Sequence, residues 1–264
     1  MSGQSTTRTA PSGGGTGRGP AGSRTGQRLS GLAVALGMVL FLGGFAWGAV
    51  VYRPYTVPTT SMAPTIGAGD RVLAQRVDSG DVRRGDVVVF KDATWADVPV
   101  VKRVVAVGGD TVSCCQDGKL RVNGKEIDEP YLAEDTAERL ANFPSVTVPK
   151  GRLFLLGDER SGSVDSTAHL TDAANGTVSR GAVQGRVDAV VWPMDGMLPT
   201  PTGFEELGAL SSPGPLRTMV ALVIAGAVLV LGGAAYGPIA KRAETSRGRA
   251  RAGAQANAEP SRGR

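Results

Sequence analysis

Two residue types in this chain have the spacing and setting to do chemistry together. Ser61 lies in a short, Pro-bracketed stretch that reads as extended, Val57-Pro-Thr-Thr-Ser61-Met-Ala-Pro-Thr65, and Lys102 lies in an apolar run, Val98-Pro-Val-Val-Lys102-Arg-Val-Val-Ala-Val107. A serine hydroxyl is a poor nucleophile at its own pKa and needs a base within reach. A lysine stripped of water has its pKa lowered, and the neutral amine can then take the serine's proton, which is Ser-Lys dyad chemistry. The single histidine, His169, is the other base on offer, but it sits in a polar loop rich in Gly, Asn, Asp and Thr. The two cysteines, Cys114 and Cys115, are adjacent, and no CxxC, HExxH or dispersed His/Cys/Asp cluster accompanies them. No metal or other cofactor is expected, and the pair reads as two buried thiols, with a strained vicinal disulfide or a cross-link between two chains as the alternatives on the oxidising side of a membrane. Gly108-Gly109 reads as a turn, since no phosphate-binding glycine motif is present.

The elements that must position these residues begin with two apolar runs. Leu32 to Val51 carries no charge, and a second run from Val220 to Tyr236 extends back to Leu216 if Arg217 snorkels. The first is longer than the ~7–15 apolar residues of a cleaved signal peptide, so it reads as a retained anchor. The formal net charge of +5 belongs to the tails: residues 1–31 hold four arginines and no acid, and residues 238–264 have a net charge of +5. Both basic tails abut a span, and the positive-inside rule then puts both termini in the cytoplasm of a multi-pass plasma-membrane protein, with the intervening residues outside. The tails are mostly Gly, Ser, Thr, Ala and Arg and read as disordered, with no nucleic-acid partner expected.

The predicted organisation is a disordered tail at 1–31, a transmembrane helix at 32–52, a catalytic domain at 53–195, a linker at 196–215, a transmembrane helix at 216–237 and a disordered tail at 238–264. Ser61 begins within reach of the membrane face, at most ~35 Å from Val51 even at full extension. Short apolar runs at 70–77, 87–90, 99–107, 151–156 and 183–192, separated by Gly- and Asp-rich turns, predict a mainly β, antiparallel domain. Residues 111–150 read as a small non-catalytic β excursion with turns at 116–118 and 123–124, and 128–142 as an acidic loop. The Pro-, Gly- and Ser-rich stretch from Pro193 to Pro215 reads as a linker.

Four stretches together resemble the type I signal peptidases, Ser-Lys endopeptidases of bacterial membranes. They are Ser61-Met-Ala-Pro-Thr65, Gly85-Asp-Val-Val-Val-Phe90, Val101-Lys-Arg-Val-Val-Ala-Val-Gly-Gly-Asp110 and Gly157-Asp-Glu-Arg-Ser-Gly-Ser-Val-Asp-Ser166. The likeness covers about residues 53–195. It implies Ser61 as nucleophile, Lys102 as general base, and an oxyanion hole formed by the Ser61 N–H and the Thr59 hydroxyl, where the family usually has serine. It implies that Ser163 orients the lysine and that Asp158, Arg160 and Asp165 support it, with Arg103 as a charge partner. Tyr55, Val57, Met62, Ile66, Val100 and Val101 match positions that line shallow pockets for an Ala-x-Ala cleavage site bound by β-augmentation. Two departures stand out: Glu159 replaces the usual asparagine, and Thr167 replaces an arginine that commonly pairs with the aspartate at 165. The implied partners are signal peptides of secretory preproteins, membrane lipid and the export machinery. The rival readings are a non-catalytic β module that binds such peptides and a Ser-Lys peptidase with one dedicated substrate.

Overall fold

Residues 22–116, 119–133 and 142–256 are described by the computed structural model, so the turn expected at 116–118 and most of the acidic loop at 128–142 lie outside or at the edge of the described residues. The chain divides into two units, residues 1–43 with 222–264, and residues 44–221.

The first unit is helical. Helix α1 runs over Gly22–Val51 and helix α2 over Leu216–Ala256. Their apolar portions, Arg28–Val51 and Leu216–Tyr236, have 24 and 21 residues. At 1.5 Å per residue these are about 36 and 32 Å long, enough for a hydrocarbon layer of ~30 Å. Large apolar side chains on both helices point outward, among them Leu32, Val39, Val228 and Leu231. Glycine lets the two backbones approach: a Cβ at Gly37 would sit 2.8 Å from the Gly226 carbonyl oxygen, and the Ser30 hydroxyl donates to the Gly233 carbonyl at 2.7 Å. Both helices extend past the apolar runs, so residues 22–31 and 238–256, expected to be disordered, are helical. An apolar helix that has already been nucleated propagates at one hydrogen bond per residue, which carries it into Ala- and Arg-rich sequence.

The second unit holds two antiparallel sheets. The strands of the large sheet are β1 (Tyr52–Thr56), β2 (Arg71–Gln75), β3 (Val87–Asp92), β4 (Ala96–Val107), β9 (Arg152–Leu156), β10 (Val178–Ser179), β11 (Val183–Trp192) and β12 (Gly196–Met197). Their order is β1-β2-β11-β3-β4-β9-β10, with β12 paired to β11. The small sheet consists of β5 (Thr111–Gln116), β6 (Lys119–Val122), β7 (Lys125–Glu126) and β8 (Phe143–Thr147), in the order β7-β6-β5-β8.

Strands β3 and β4 are apolar on both faces. Val87, Val89 and Val101 join a cluster with Val57, Met62, Ile66 and Val72, whereas Val88, Phe90 and Val104 join Leu153 and Leu155 on the other side. Burial on both faces explains why these strands read as unbroken valine runs rather than alternating ones. A third cluster, with Val112, Leu120, Val122 and Phe143 of the small sheet, also holds Phe154 and Leu156 of β9 and so joins the two sheets.

The structure corrects three further expectations. The stretch read as a linker is folded onto the domain: β12 pairs with β11, Phe204 is fully buried in the cluster between the sheets, and Arg84 donates to the Leu207 carbonyl. One aromatic anchor with a few hydrogen bonds is enough to dock a segment whose composition resembles a tether. Cys114 and Cys115 are joined as a vicinal disulfide rather than held as two thiols. Cys114 belongs to the apolar cluster that joins the sheets, and Cys115 packs against it. Finally, residues 58–66 are a series of turns closed by a Met62–Ile66 bridge, not an extended segment.

Candidate active site

Ser61 leaves the large sheet on the turns that follow β1. Its hydroxyl lies 3.2 Å from the Thr59 hydroxyl, and its carbonyl oxygen accepts from the Glu159 N–H at 3.2 Å. The turn is held from below by Met62 and Ile66, both fully buried. Beside Ser61 opens an apolar cleft of about 150 Å³ lined by Tyr55, Val57, Val89, Val98, Val100 and Val101. Four of the six positions expected to form pockets therefore lie on it. Met62 and Ile66 do not: the bridge between them turns both side chains into the core beneath. Val89 and Val98 line the cleft without having been picked out, because nothing in a valine run tells a cleft wall from a core position.

Lys102 is on β4, opposite Val88 of β3. The pairing of Arg103 with Leu156 on the other side, continued by one residue, sets Gly157 next to it. By the two-residue period of a strand, the lysine shares a face with Val100 and Val104. It is only 2% exposed, and its amine makes no hydrogen bond to a described residue. Burial pushes its amine from 10.5 down to about 8, although Asp165 and Asp158 draw it the other way.

The segment 157–165 packs against both residues. A side chain at Gly157 would collide with the Ser163 hydroxyl and with the Ser61 carbonyl oxygen, so only glycine permits the approach. The Ser163 hydroxyl is buried and has no hydrogen-bond partner among the described residues. Asp158, fully buried, takes a two-pronged bond from Arg103, Nε to Oδ1 at 2.8 Å and Nη2 to Oδ2 at 2.6 Å, and a third from the Thr65 hydroxyl at 2.5 Å. Burial alone would lower the Arg103 pKa, but Asp158 outweighs it and the net shift is upward. Asp165 accepts from the Gly157 N–H at 3.0 Å and from both the N–H and the hydroxyl of Thr167, at 3.0 and 2.7 Å. Thr167 thus serves this carboxylate with hydrogen bonds where an arginine would give an ion pair. Glu159 accepts from Ser161 and from the Gly162 N–H, closing its own turn. His169 is engaged elsewhere: its Nδ1 lies 2.7 Å from Asp172 and its ring stacks on Trp95 at 4.5 Å.

The family model described as "Signal peptidase, peptidase S26" matches residues 29–192, more than half of the chain. The chain belongs to the signal peptidase S26 family. It is 35% identical over 195 positions to a signal peptidase I of Mycobacterium tuberculosis (strain CDC 1551 / Oshkosh), covering 54% of this chain and 66% of that relative. It is also 35% identical over 156 positions to a signal peptidase I of Bacillus licheniformis, covering 56% of this chain and 80% of the relative. The crystal structure of a signal peptidase I from Enterococcus faecalis V583 aligns with 28% identity and a TM-score of 0.34, over 40% of this chain and 95% of that one.

Within this S26 chain three residues near the candidate site had not been singled out. Thr65 bonds Asp158 across 93 positions of sequence. Glu129 takes both guanidinium Nη atoms of Arg160, at 2.8 and 2.6 Å, and Tyr131 lies 3.8 Å from the Arg103 guanidinium. Arg160 thus reaches into the loop that follows β7 and also donates from Nε to the Gly157 carbonyl at 3.0 Å. A threonine next to the core isoleucine Ile66 has no sequence signature of such a contact.

Proposed function

We propose that this S26 chain is a membrane-anchored serine endopeptidase that cleaves N-terminal signal peptides at Ala-x-Ala-type sites. In this reading the neutral amine of Lys102 takes the proton of Ser61 as its Oγ attacks the scissile carbonyl. The oxyanion is held by the Ser61 N–H and the Thr59 hydroxyl. The C–N bond breaks, Lys102 returns the proton to the leaving amine of the mature protein, and water activated by the same lysine hydrolyses the acyl-serine. Ser163 orients the amine; Asp158, Arg160 and Asp165 hold the segment that carries Ser163. The preprotein strand lies along the cleft beside Ser61, with small side chains directed into it from alternate positions. The two apolar helices anchor the chain with both termini cytoplasmic and the β domain outside, next to lipid and to the exit of the export machinery.

The observation that carries this reading is a lysine 2% exposed, whose amine makes no hydrogen bond to a described residue and is driven down to about 8. A buried cation left without a close counterion costs several kcal/mol, and catalysis by the neutral amine gives that cost a use. The test is cleavage of an Ala-x-Ala preprotein by the full-length chain in detergent, with the new N-terminus sequenced. Ser61→Ala is expected to lower the rate by about 10³-fold or more while the membrane-inserted amount is unchanged. Wild-type cleavage rates in that variant would overturn Ser61 as the nucleophile, and a wild-type chain that does not cleave would favour the non-catalytic β module.

A further inference from the structure

Glu129 and Tyr131 follow the short strand β7, in a loop anchored by Ile127 and Leu132, both buried. Neither belongs to the four motif stretches quoted above, yet each grips an arginine that holds the segment next to Ser61. The Glu129 carboxylate and Arg160 guanidinium are 7% and 1% exposed and bond at two points. The third guanidinium nitrogen donates to the Gly157 carbonyl. Tyr131 donates its hydroxyl to Glu129 at 2.5 Å and lays its ring 3.8 Å from Arg103, which in turn holds both oxygens of Asp158. The consecutive residues 157 and 158 are therefore held by two arginines, and one tyrosine touches the partner of the first and the face of the second. The next residue, Glu159, ties its N–H to the carbonyl of Ser61 itself.

We propose that Glu129 and Tyr131 are positioning residues for the reaction: through Arg160 and Arg103 they set the height of the 157–159 backbone, and with it the place of Ser61 and of the Ser163 hydroxyl. The inference rests on the peptidase reading above. A buried ion pair is a poor source of stability, since apolar residues of the same volume serve as well or better. Its two-point geometry does, however, fix a guanidinium in a single orientation. The space at Gly157 leaves no slack, because the Ser163 hydroxyl and the Ser61 carbonyl already occupy the volume a Cβ would need. Misplacing a nucleophile by about 1 Å costs on the order of 10² in rate.

The experiment measures kcat, KM and the melting temperature of the full-length chain in detergent on one Ala-x-Ala preprotein, with Ser61→Ala as control. Tyr131→Leu removes the ring face and the hydroxyl; Glu129→Gln keeps the shape and removes the charge. Both are expected to lower kcat about ten- to hundredfold at temperatures where the chain is fully folded, with KM within about twofold. Tyr131→Phe, which keeps the ring over Arg103, is expected to restore most of kcat. A purely structural role would lower the melting temperature and leave kcat of the folded chain at the wild-type value, and that result overturns the inference. If a variant does not fold, Glu129→Asp takes its place, retaining charge and shortening the reach by one methylene; wild-type kcat there overturns the inference equally. A wild type that does not cleave, or a Ser61→Ala that does, sinks the peptidase reading instead.

Discussion

On the β2–β11 side of the large sheet, Tyr52, Arg186 and Asp188 are buried and every charge is answered. Arg186 bonds Asp188, Gln75 and the Ser212 carbonyl, and the Tyr52 hydroxyl donates to Asp188 at 2.7 Å. On the β4–β9 side Lys102 is buried as deeply, with no hydrogen bond to a described residue and with an unpartnered Ser163 hydroxyl in the adjoining segment. Burial and Asp188 together raise the tyrosine hydroxyl's pKa, so that group stays a neutral donor. Burial moves the lysine toward its neutral form as well, but there it frees an acceptor lone pair. A saturated polar cluster specifies a fold, and one left open in the same kind of interior is the kind of site the proposed proton transfer requires.

Removing each cation in turn gives the widest separation of the two regions. Lys102→Met should reduce preprotein cleavage by about 10³-fold or more, and at pH 7 it should raise the melting temperature because a largely buried ammonium is replaced by an apolar chain of similar length. A variant that cleaves normally would erase the distinction. Arg186→Met should do the reverse. It strands the Asp188 carboxylate and is expected to cost about 3–5 kcal/mol of stability in a denaturant melt, with kcat of the folded chain unchanged. A fall in kcat without loss of stability would show that the saturated cluster also serves the reaction.

A gentler contrast comes from pH. The cleavage rate is expected to rise about tenfold per unit up to pH about 8 and then level off, as the Lys102 amine loses its proton. Stability has the same sign in a higher window. Between about 8 and 10.5 the unfolded lysine keeps a proton that the folded one has released, so unfolding free energy rises with pH there, by about 3 kcal/mol over the whole interval. Below 8 both states are protonated and the full burial penalty applies. A rate profile governed by a group near ~6.5 would point to His169 instead.

The strands that carry the site were legible because β3, β4 and β9 are buried on both faces and keep their valines and leucines in unbroken runs. Ser61, Lys102 and the 157–166 stretch could be picked out because a nucleophile, a lone apolar-flanked lysine and a Gly-Asp-rich loop are each unusual at short range. Other contributions left no such trace. Glu129 reaches Arg160 across 31 positions and Phe204 seals the two sheets from a stretch composed like a tether. Met62 and Ile66 match pocket positions in sequence, yet both side chains are buried in the core beneath the cleft. Local pattern reports which residues want burial, and it is silent on which of several apolar surfaces they will meet.

By itself the sequence determined the class of this protein: two runs long enough to cross a bilayer, a β domain between them, and the ordered blocks that match the S26 family. Tertiary structure alone decided what each polar group experiences. Whether an amine stays charged depends on the water and counterions around it, and those are set by strands and loops that meet only when the chain has folded. Arg103 and Lys102 are neighbours in sequence on one strand. One is paired with Asp158 and stays ionised, and the other, buried without such a pairing, has its amine driven down to about 8.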